Sequence, residues 1–527
     1  MSTSRTPAGS TTAGPQHPRA ILVIILVSYF LILLDNSVIF TGLPAISEAL
    51  NMSAAGLSWV QDAYTLVFGG LLLLGARLGD ILGRRRVFVA GLAIFVTASF
   101  LVGVAPASWW LIAARGLQGI GAAIVAPSAL SLLTASFPDG PQRDRAVAAY
   151  AATAGIGASL GMLVGGAAAQ WVSWRAGFFI NVPLGIAMAI LAPRYLPDTC
   201  PEPGHFDVVG ALAATLGVGA LVFGILESAT RGWADPVVIV SVVAAVVLIA
   251  GLVANERRVA QPIMPLRLFN DRRRWGAYAA RALYLGAMMG FFFFTTQLMQ
   301  DALGFTAFQA GLGFLPMTIV NSAVALGVPR IVKRFGSAPV LVAGVAFTLV
   351  GMTWLAQVDD ASVYLTGVAL PMVLIGLGQG LAFAPLTSYG IIDVQPGDAG
   401  AASGLVNTAH QLGMATGLAI LVAASAHAGE LTAQVSTAMT WGSGMLALCL
   451  VVVLAVIVPA RRLRRAPEPA NRLPEPTRFP EPTRFPEPPS GSLSSSKGVE
   501  EAPRRRRNDS TRPPQGTPWA YPGFVDT

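Results

Sequence analysis

Charge is scarce in this chain. Only 12% of its 527 residues are Asp, Glu, Lys or Arg, 54% are hydrophobic, and the mean hydropathy is +0.62. That balance excludes a soluble globular protein and indicates a polytopic membrane protein. Cysteine is scarcer still. Cys200 and Cys449 cannot build a disulfide framework and share no metal-ligand spacing with His17, His205, His410 or His427, so they read as small packing residues and no metal or redox cofactor is expected. A G-x-x-x-x-G-K-[ST] phosphate loop is missing, which excludes a nucleotide-driven pump. No cluster of acids, histidines or nucleophiles gathers at one membrane face, as a lipid-modifying enzyme would need. Polar stretches long enough for a soluble domain are also missing between Ile21 and Pro459.

Apolar runs of about 20 residues, each able to cross roughly 30 Å of hydrocarbon as a helix, follow one another almost without pause. The first is too long for a signal-peptide core and ends in no A-x-A-type cleavage site, so it reads as an uncleaved span. Fourteen helices are predicted, the first over 20–42 and the last over 441–460. A cytoplasmic tail over 1–19 precedes a six-helix bundle over 20–195. Two inserted helices with their loops occupy 196–275, and a second six-helix bundle occupies 276–460. With the N-terminus cytoplasmic, the even-numbered connections carry Arg84, Arg85, Arg86, Arg143, Arg145, Arg194, Arg257, Arg258, Arg267, Arg272, Arg273, Arg274, Arg330, Lys333 and Arg334. The odd-numbered ones carry little beyond Arg175 and Arg231. This is the positive-inside pattern, and it predicts a multi-pass protein of the plasma membrane with both termini in the cytoplasm. It also accounts for most of the +8 net charge, so no nucleic-acid partner is implied. From Arg461 the composition changes to tandem RLPEPT, RFPEPT and RFPEPP, then Ser/Gly and RRRR, an extension read as a disordered Pro/Arg-rich tail over 461–527.

Between the second and third helices GARLGDILGRRRVFVAG places Gly75, Asp80, Gly83, Arg84 and Arg85 on a short cytoplasmic turn. Glycines there let helix ends approach closely and Asp80 can accept from arginines, a cluster suited to a latch between moving bundles. The stretch resembles the G-x-L-a-D-r-x-G-r-r signature of the major facilitator superfamily. LLDNSVIFTGLPAI, WVQDAYTL and LIAARGLQGIGAA are similar to further segments of its fourteen-helix drug/proton antiporter branch. The fifth helix and its exit, GIGASLGMLVGGAAAQWVSWRAGFFINVPLG, resemble the antiporter signature through Gly157, Gly161, Gly165 and Gly166, with Met162 where the family has proline. A degraded internal copy supports the same fold. RIVKRFG at 330–336 matches the Asp80 turn, and GAASGLVNTAHQLGMATG at 400–417 matches the fifth helix, as parallel six-helix repeats require.

A lone acid, Asp35, interrupts the first apolar run. Such a residue costs a few kcal/mol on insertion scales and marks function by default. At 1.5 Å per residue it lies about ten Å below the outer surface, and Arg115 on the fourth helix lies at roughly the same depth. Gln118 shares Arg115's helix face. A cluster of Asp35, Arg115 and Gln118, with Asp62 nearby and opening into the central cavity, is therefore expected. Its alternative role is a permanent structural salt bridge. The resemblance implies that the helix 1 acid is needed for transport and the helix 4 arginine takes part in proton transfer. Candidates for substrate contact are Gln297, Asn321, Gln379, Phe383, Asn407, His410 and Gln411, with the aromatic run at 291–294. The function expected is monomeric, cofactor-free, proton-driven export of lipophilic, potentially cationic small molecules such as drugs, antibiotics or a natural product across a bacterial plasma membrane. Proton-coupled uptake of a metabolite is the alternative, and a membrane sensor or lipid-modifying enzyme the next.

Overall fold

Helix follows helix through the described residues of the computed structural model, which are 17–138, 140–198, 206–259, 262, 264–395 and 398–459. Cys200, His205 and the Pro/Arg-rich tail lie outside them. Among the described residues thirteen helices are long and apolar enough to cross a membrane. The first bundle consists of α1 (Pro18–Leu50), α2 (Ala54–Leu82), α3 (Arg84–Gly103), α4 (Ser108–Ser136), α5 (Pro141–Trp171) and α6 (Trp174–Tyr195). The inserted pair is α7 (Val208–Arg231) and α8 (Pro236–Glu256). The second bundle consists of α9 (Arg272–Ala302), α10 (Ala307–Phe335), α11 (Ser337–Leu355), α12 (Leu365–Gly390), α13 (Ala399–Ser425) and α14 (Leu431–Ile457). α5, 31 residues long, is also long enough to span the same thickness. The fold is all-α and membrane-spanning, as the apolar runs require.

Local chemistry sets the ends. Ser53, Asp207, Asp235, Asp271 and Thr306 each accept a backbone N–H at a helix start, and Thr306 with Gln309 forms a full capping box. Two turns show the internal repeat. Gly83 between α2 and α3 has φ 95°, and Gly336 between α10 and α11 has φ 87°, a region that glycine enters without a Cβ penalty.

Small residues draw the repeat's partners together. A Cβ on Gly157 would stand 2.8 Å from the Leu33 Cβ, one on Gly161 2.6 Å from the Ser37 Cβ, and one on Gly165 2.7 Å from the Thr41 hydroxyl. These three glycines, four residues apart, form the face on which α5 packs against α1. In the second bundle Gly413 packs against Ala282 and Gly417 against Gly286, so α13 lies on α9 in the same manner.

The bundles meet differently at their two ends. At the end away from the Asp80 turn, α5 packs on the outermost turns of α10: a Cβ on Gly166 would meet the Ala307 carbonyl at 2.5 Å, and one on Gly311 the Met162 carbonyl at 2.7 Å. The Phe308 N–H donates to Gln170 Oε1 at 3.2 Å, Trp171 and Phe308 rings lie 4.9 Å apart, and Gln300 donates to the Thr41 carbonyl at 3.2 Å. Toward the arginine-rich end α5 barely touches the rest of α10, and α4 makes no substantial contact with α12. The bundles are sealed at the far end and parted between α4, α5, α10 and α12 at the arginine-rich end. α2 and α13 form the remaining seam, with Thr408 donating to the Gly69 carbonyl at 3.2 Å. α7 packs against both sides of that seam, Thr215 sitting on Gly70, while α8 packs on α7.

Candidate functional site

Asp35, Arg115, Gln118 and Asp62 are all fully buried. Arg115 Nη1 donates to Asp35 Oδ2 at 2.6 Å and to Gln118 Oε1 at 2.7 Å, and Gln118 Nε2 donates to Asp35 Oδ1 at 2.7 Å. The common depth read from helix arithmetic is thus accompanied by a common azimuth. Asn181 Nδ2 on α6 also donates to Asp35 Oδ1, at 2.9 Å, and the Ser99 hydroxyl on α3 accepts from Gln118 at 2.8 Å and from Asn181 at 3.4 Å. Donors from α4 and α6 therefore meet at the α1 carboxylate, and α3 braces two of them through Ser99. Tyr64 completes the shell, its ring centroid 4.3 Å from the guanidinium carbon.

One expectation changes here. The cluster does not open into the central cavity: it is closed inside the first bundle, because α3 and α6 pack over it. On α2 the Val60 carbonyl, two residues before Asp62, accepts from Arg115 Nε at 3.0 Å. Asp62 is buried with neither carboxyl oxygen hydrogen bonded among the described residues, and Arg115 Nη2 has no partner either. A buried pair with orphaned polar atoms beside it has unused bonding capacity, which is what a rearranging site needs.

The Asp80 turn makes ion pairs within itself and just past the end of α6. Arg84 Nη2 pairs with Asp80 Oδ1 at 3.0 Å, while Arg85 Nη2 pairs with Asp198 Oδ2 at 2.5 Å and donates to the Pro193 and Leu196 carbonyls. Gly75 lies against the Ala123 backbone of α4. These contacts bind the turn to its own bundle.

The substrate candidates separate. Gln297 is not at the midplane: with Gln300, Asp301, Pro44 and Glu48 it lines a cavity of about 530 Å³ at the sealed far end. Phe291, Phe293 and Phe294 are core residues, and Phe292 packs on Phe40 and Phe314, so the aromatic run fills the interior instead of lining a pocket. The Asn321 carbonyl faces Gly380 at the α10–α12 contact. Gln379 is half-buried one turn before the exposed Phe383, and Asn407 is exposed, donating to the Ser403 carbonyl. Gln411 packs against Gly69 with its Oε1 unpartnered. His410 Nδ1 lies 3.1 Å from Arg281 Nη2, and the Phe383 ring lies 4.5 Å from the Arg281 guanidinium carbon.

Sequence reasoning missed Arg281, Asn181 and Ser99. Arg281 was detectable as the only charge deep within the α9 run, and Asn181 as the polar residue in the WRAGFFINVP motif. Ser99 gives no signal in sequence. Among the described residues no group of three His, Cys, Asp or Glu could hold a metal ion.

Comparison with known proteins agrees with this architecture. Residues 25–418 match the Major Facilitator Superfamily. The chain is 40% identical to the cephamycin export protein CmcT of Amycolatopsis lactamdurans, covering 83% of this chain and 91% of that one. It is 36% identical to the puromycin resistance protein of Streptomyces alboniger, covering 76% and 80%, and 32% identical to the multidrug efflux pump LfrA of Mycolicibacterium smegmatis, covering 80% and 83%. Among solved structures, a peptide transporter POT in complex with sulfate aligns with a TM-score of 0.64 at 15% identity, over 85% of this chain and 97% of that one, which shows the fold. A transporter and not an enzyme, the chain belongs to the Major Facilitator Superfamily.

Proposed function

We propose that the protein exports lipophilic small molecules, drugs or antibiotics among them, from the cytoplasm in exchange for protons. The observation that carries the proton half is the buried Asp35–Arg115 pair at 2.6 Å, ringed by Gln118, Asn181 and Ser99. Breaking such a contact changes the proton affinity of the carboxyl, since a guanidinium favours the ionised form and an apolar site disfavours it. Orphaned Arg115 Nη2 and the bare Asp62 carboxyl two residues beyond Val60 offer the arginine an alternative position. Proton uptake at Asp35 when Arg115 leaves, and release when it returns, would couple to rocking of the bundles. No cofactor is needed, the drive being the proton gradient.

The export half is supported by the names of the relatives, which are export, resistance and efflux proteins. With the arginine-rich end in the cytoplasm, as the positive-inside pattern predicts, both termini are cytoplasmic and the observed state faces inward. The protein works as a monomer in the cell membrane, each bundle pair holding a complete path. The test is accumulation of a fluorescent lipophilic dye in cells expressing wild type or Asp35→Asn at matched membrane levels, with and without a protonophore. Exclusion by wild type alone, abolished by the protonophore, supports the reading; equal exclusion by the variant removes Asp35 from the coupling path.

A further inference from the structure

Arg281 is 3% exposed, yet among the described residues it pairs with no carboxylate. Its Nη1 donates to the Thr387 hydroxyl at 2.8 Å and its Nη2 meets His410 Nδ1 at 3.1 Å, both neutral partners; its Nε–H, also buried, has no partner. The contrast with Arg115, matched to Asp35 in the first bundle, is direct. An uncompensated buried guanidinium is costly, and an opposite charge that reaches it is held tightly.

Access comes from the parted side of the molecule. Phe383 is 40% exposed and Asn407 is exposed, while Thr387 and His410 are half-buried, so the shell around Arg281 is open where α4 and α12 stand apart. The Phe383 ring covers one face of the guanidinium at 4.5 Å and leaves its edge to bind in plane. With His410 Nδ1 accepting from Arg281, its Nε2 carries the proton and is a further donor. The same guanidinium edge that receives a charged group therefore adjoins an aromatic surface for an apolar body.

We propose that Arg281, with Thr387, His410 and Phe383, is a substrate-anchoring site for lipophilic anions that carry a carboxylate. The proposal rests on the export reading and replaces the cationic substrate considered from sequence with an anionic one. A planar carboxylate binds the guanidinium edge through two parallel bonds, taking up the free Nε–H.

The test uses the full chain purified into nanodiscs and titrated with 7-methoxycoumarin-3-carboxylate and its N-methylamide, read by fluorescence. Two larger aryl carboxylates and their N-methylamides serve as further pairs. Wild type is expected to bind the carboxylates roughly ten- to hundredfold more tightly than the amides, as for a hydrogen bond to a charged group. Arg281→Gln should remove that preference, with its thermal unfolding in the same nanodiscs showing that the variant is folded; Arg281→Lys should keep part of it. Equal binding of both series by wild type, no binding of either, or a preference that survives in Arg281→Gln overturns the anion site. Gradient-driven dye export by the same purified protein reconstituted into liposomes separates the two readings: if export persists, only the anion site fails, and if no dye is exported the export reading fails with it.

Discussion

Removing one member of the Asp35–Arg115 pair should cost far more than removing both. Asp35 accepts from Arg115 at 2.6 Å, Gln118 at 2.7 Å and Asn181 at 2.9 Å, and neither partner of the ion pair has any solvent exposure. In Asp35→Asn the new amide retains one accepting oxygen but turns an NH2 group toward donors, and the guanidinium keeps its charge without a counter-ion. Breaking a buried pair from one side costs about 3–5 kcal/mol, whereas replacing both charges is often close to neutral. Asp35→Asn and Arg115→Gln should each lower stability by that amount, and the double variant should recover at least about 2 kcal/mol of the summed loss. Unfolding of purified protein in mixed micelles, followed by circular dichroism at several denaturant strengths, gives the cycle. Losses that add to within about 0.5 kcal/mol would refute the reasoning, because they would mean that the two charges do not depend on each other.

Three other outcomes follow from particular contacts. Gly161→Leu should destabilise by about 1–3 kcal/mol or more, since even a Cβ there comes within 2.6 Å of Ser37, while Gly219→Ala on α7, with nothing nearby, should be neutral or stabilising by up to about 1 kcal/mol; thermal unfolding compares them. Replacing Trp171 and Phe308 by cysteines, whose native rings lie 4.9 Å apart, should allow a short thiol cross-linker to stop transport until it is cleaved by reductant. The hydrogen bond from Arg267 holds the Asp398 carboxyl below its ordinary value of 3.8. A depressed carboxyl stabilises the fold above its unfolded value and loses that contribution as pH falls through the folded one. Arg267→Gln should therefore be less stable than wild type at neutral pH, and the difference should vanish in acid below the ordinary carboxylate range, as pH-resolved unfolding will show.

Depth was legible in the sequence and direction was not. Counting residues from helix ends placed Asp35, Arg115 and Gln118 in one layer, and the structure joins them by hydrogen bonds. The same count placed Asp62 nearby, but a side chain's azimuth follows from which faces pack, and the group α2 gives to Arg115 is the Val60 carbonyl. The glycine spacing of α5 was informative because close approach leaves a period of four that no other residue type satisfies. The Asp80 turn was recognisable, yet its partner Asp198 lies 113 positions beyond Arg85, a separation that composition cannot bridge. Polar residues on the second bundle were chosen by type alone. Gln297 therefore went to the wrong end, and Arg281, the charge around which Phe383 and His410 gather, was overlooked.

Proton flow in response to substrate tests the central claim most directly. Full-length protein is reconstituted into liposomes holding a pH-sensitive dye, an exported compound is added on one side, and proton movement is read for wild type and Asp35→Asn. Exchange predicts protons moving opposite to the compound in wild type and no proton movement in the variant. Protons moving with the compound, or an undiminished signal in Asp35→Asn, would contradict the account.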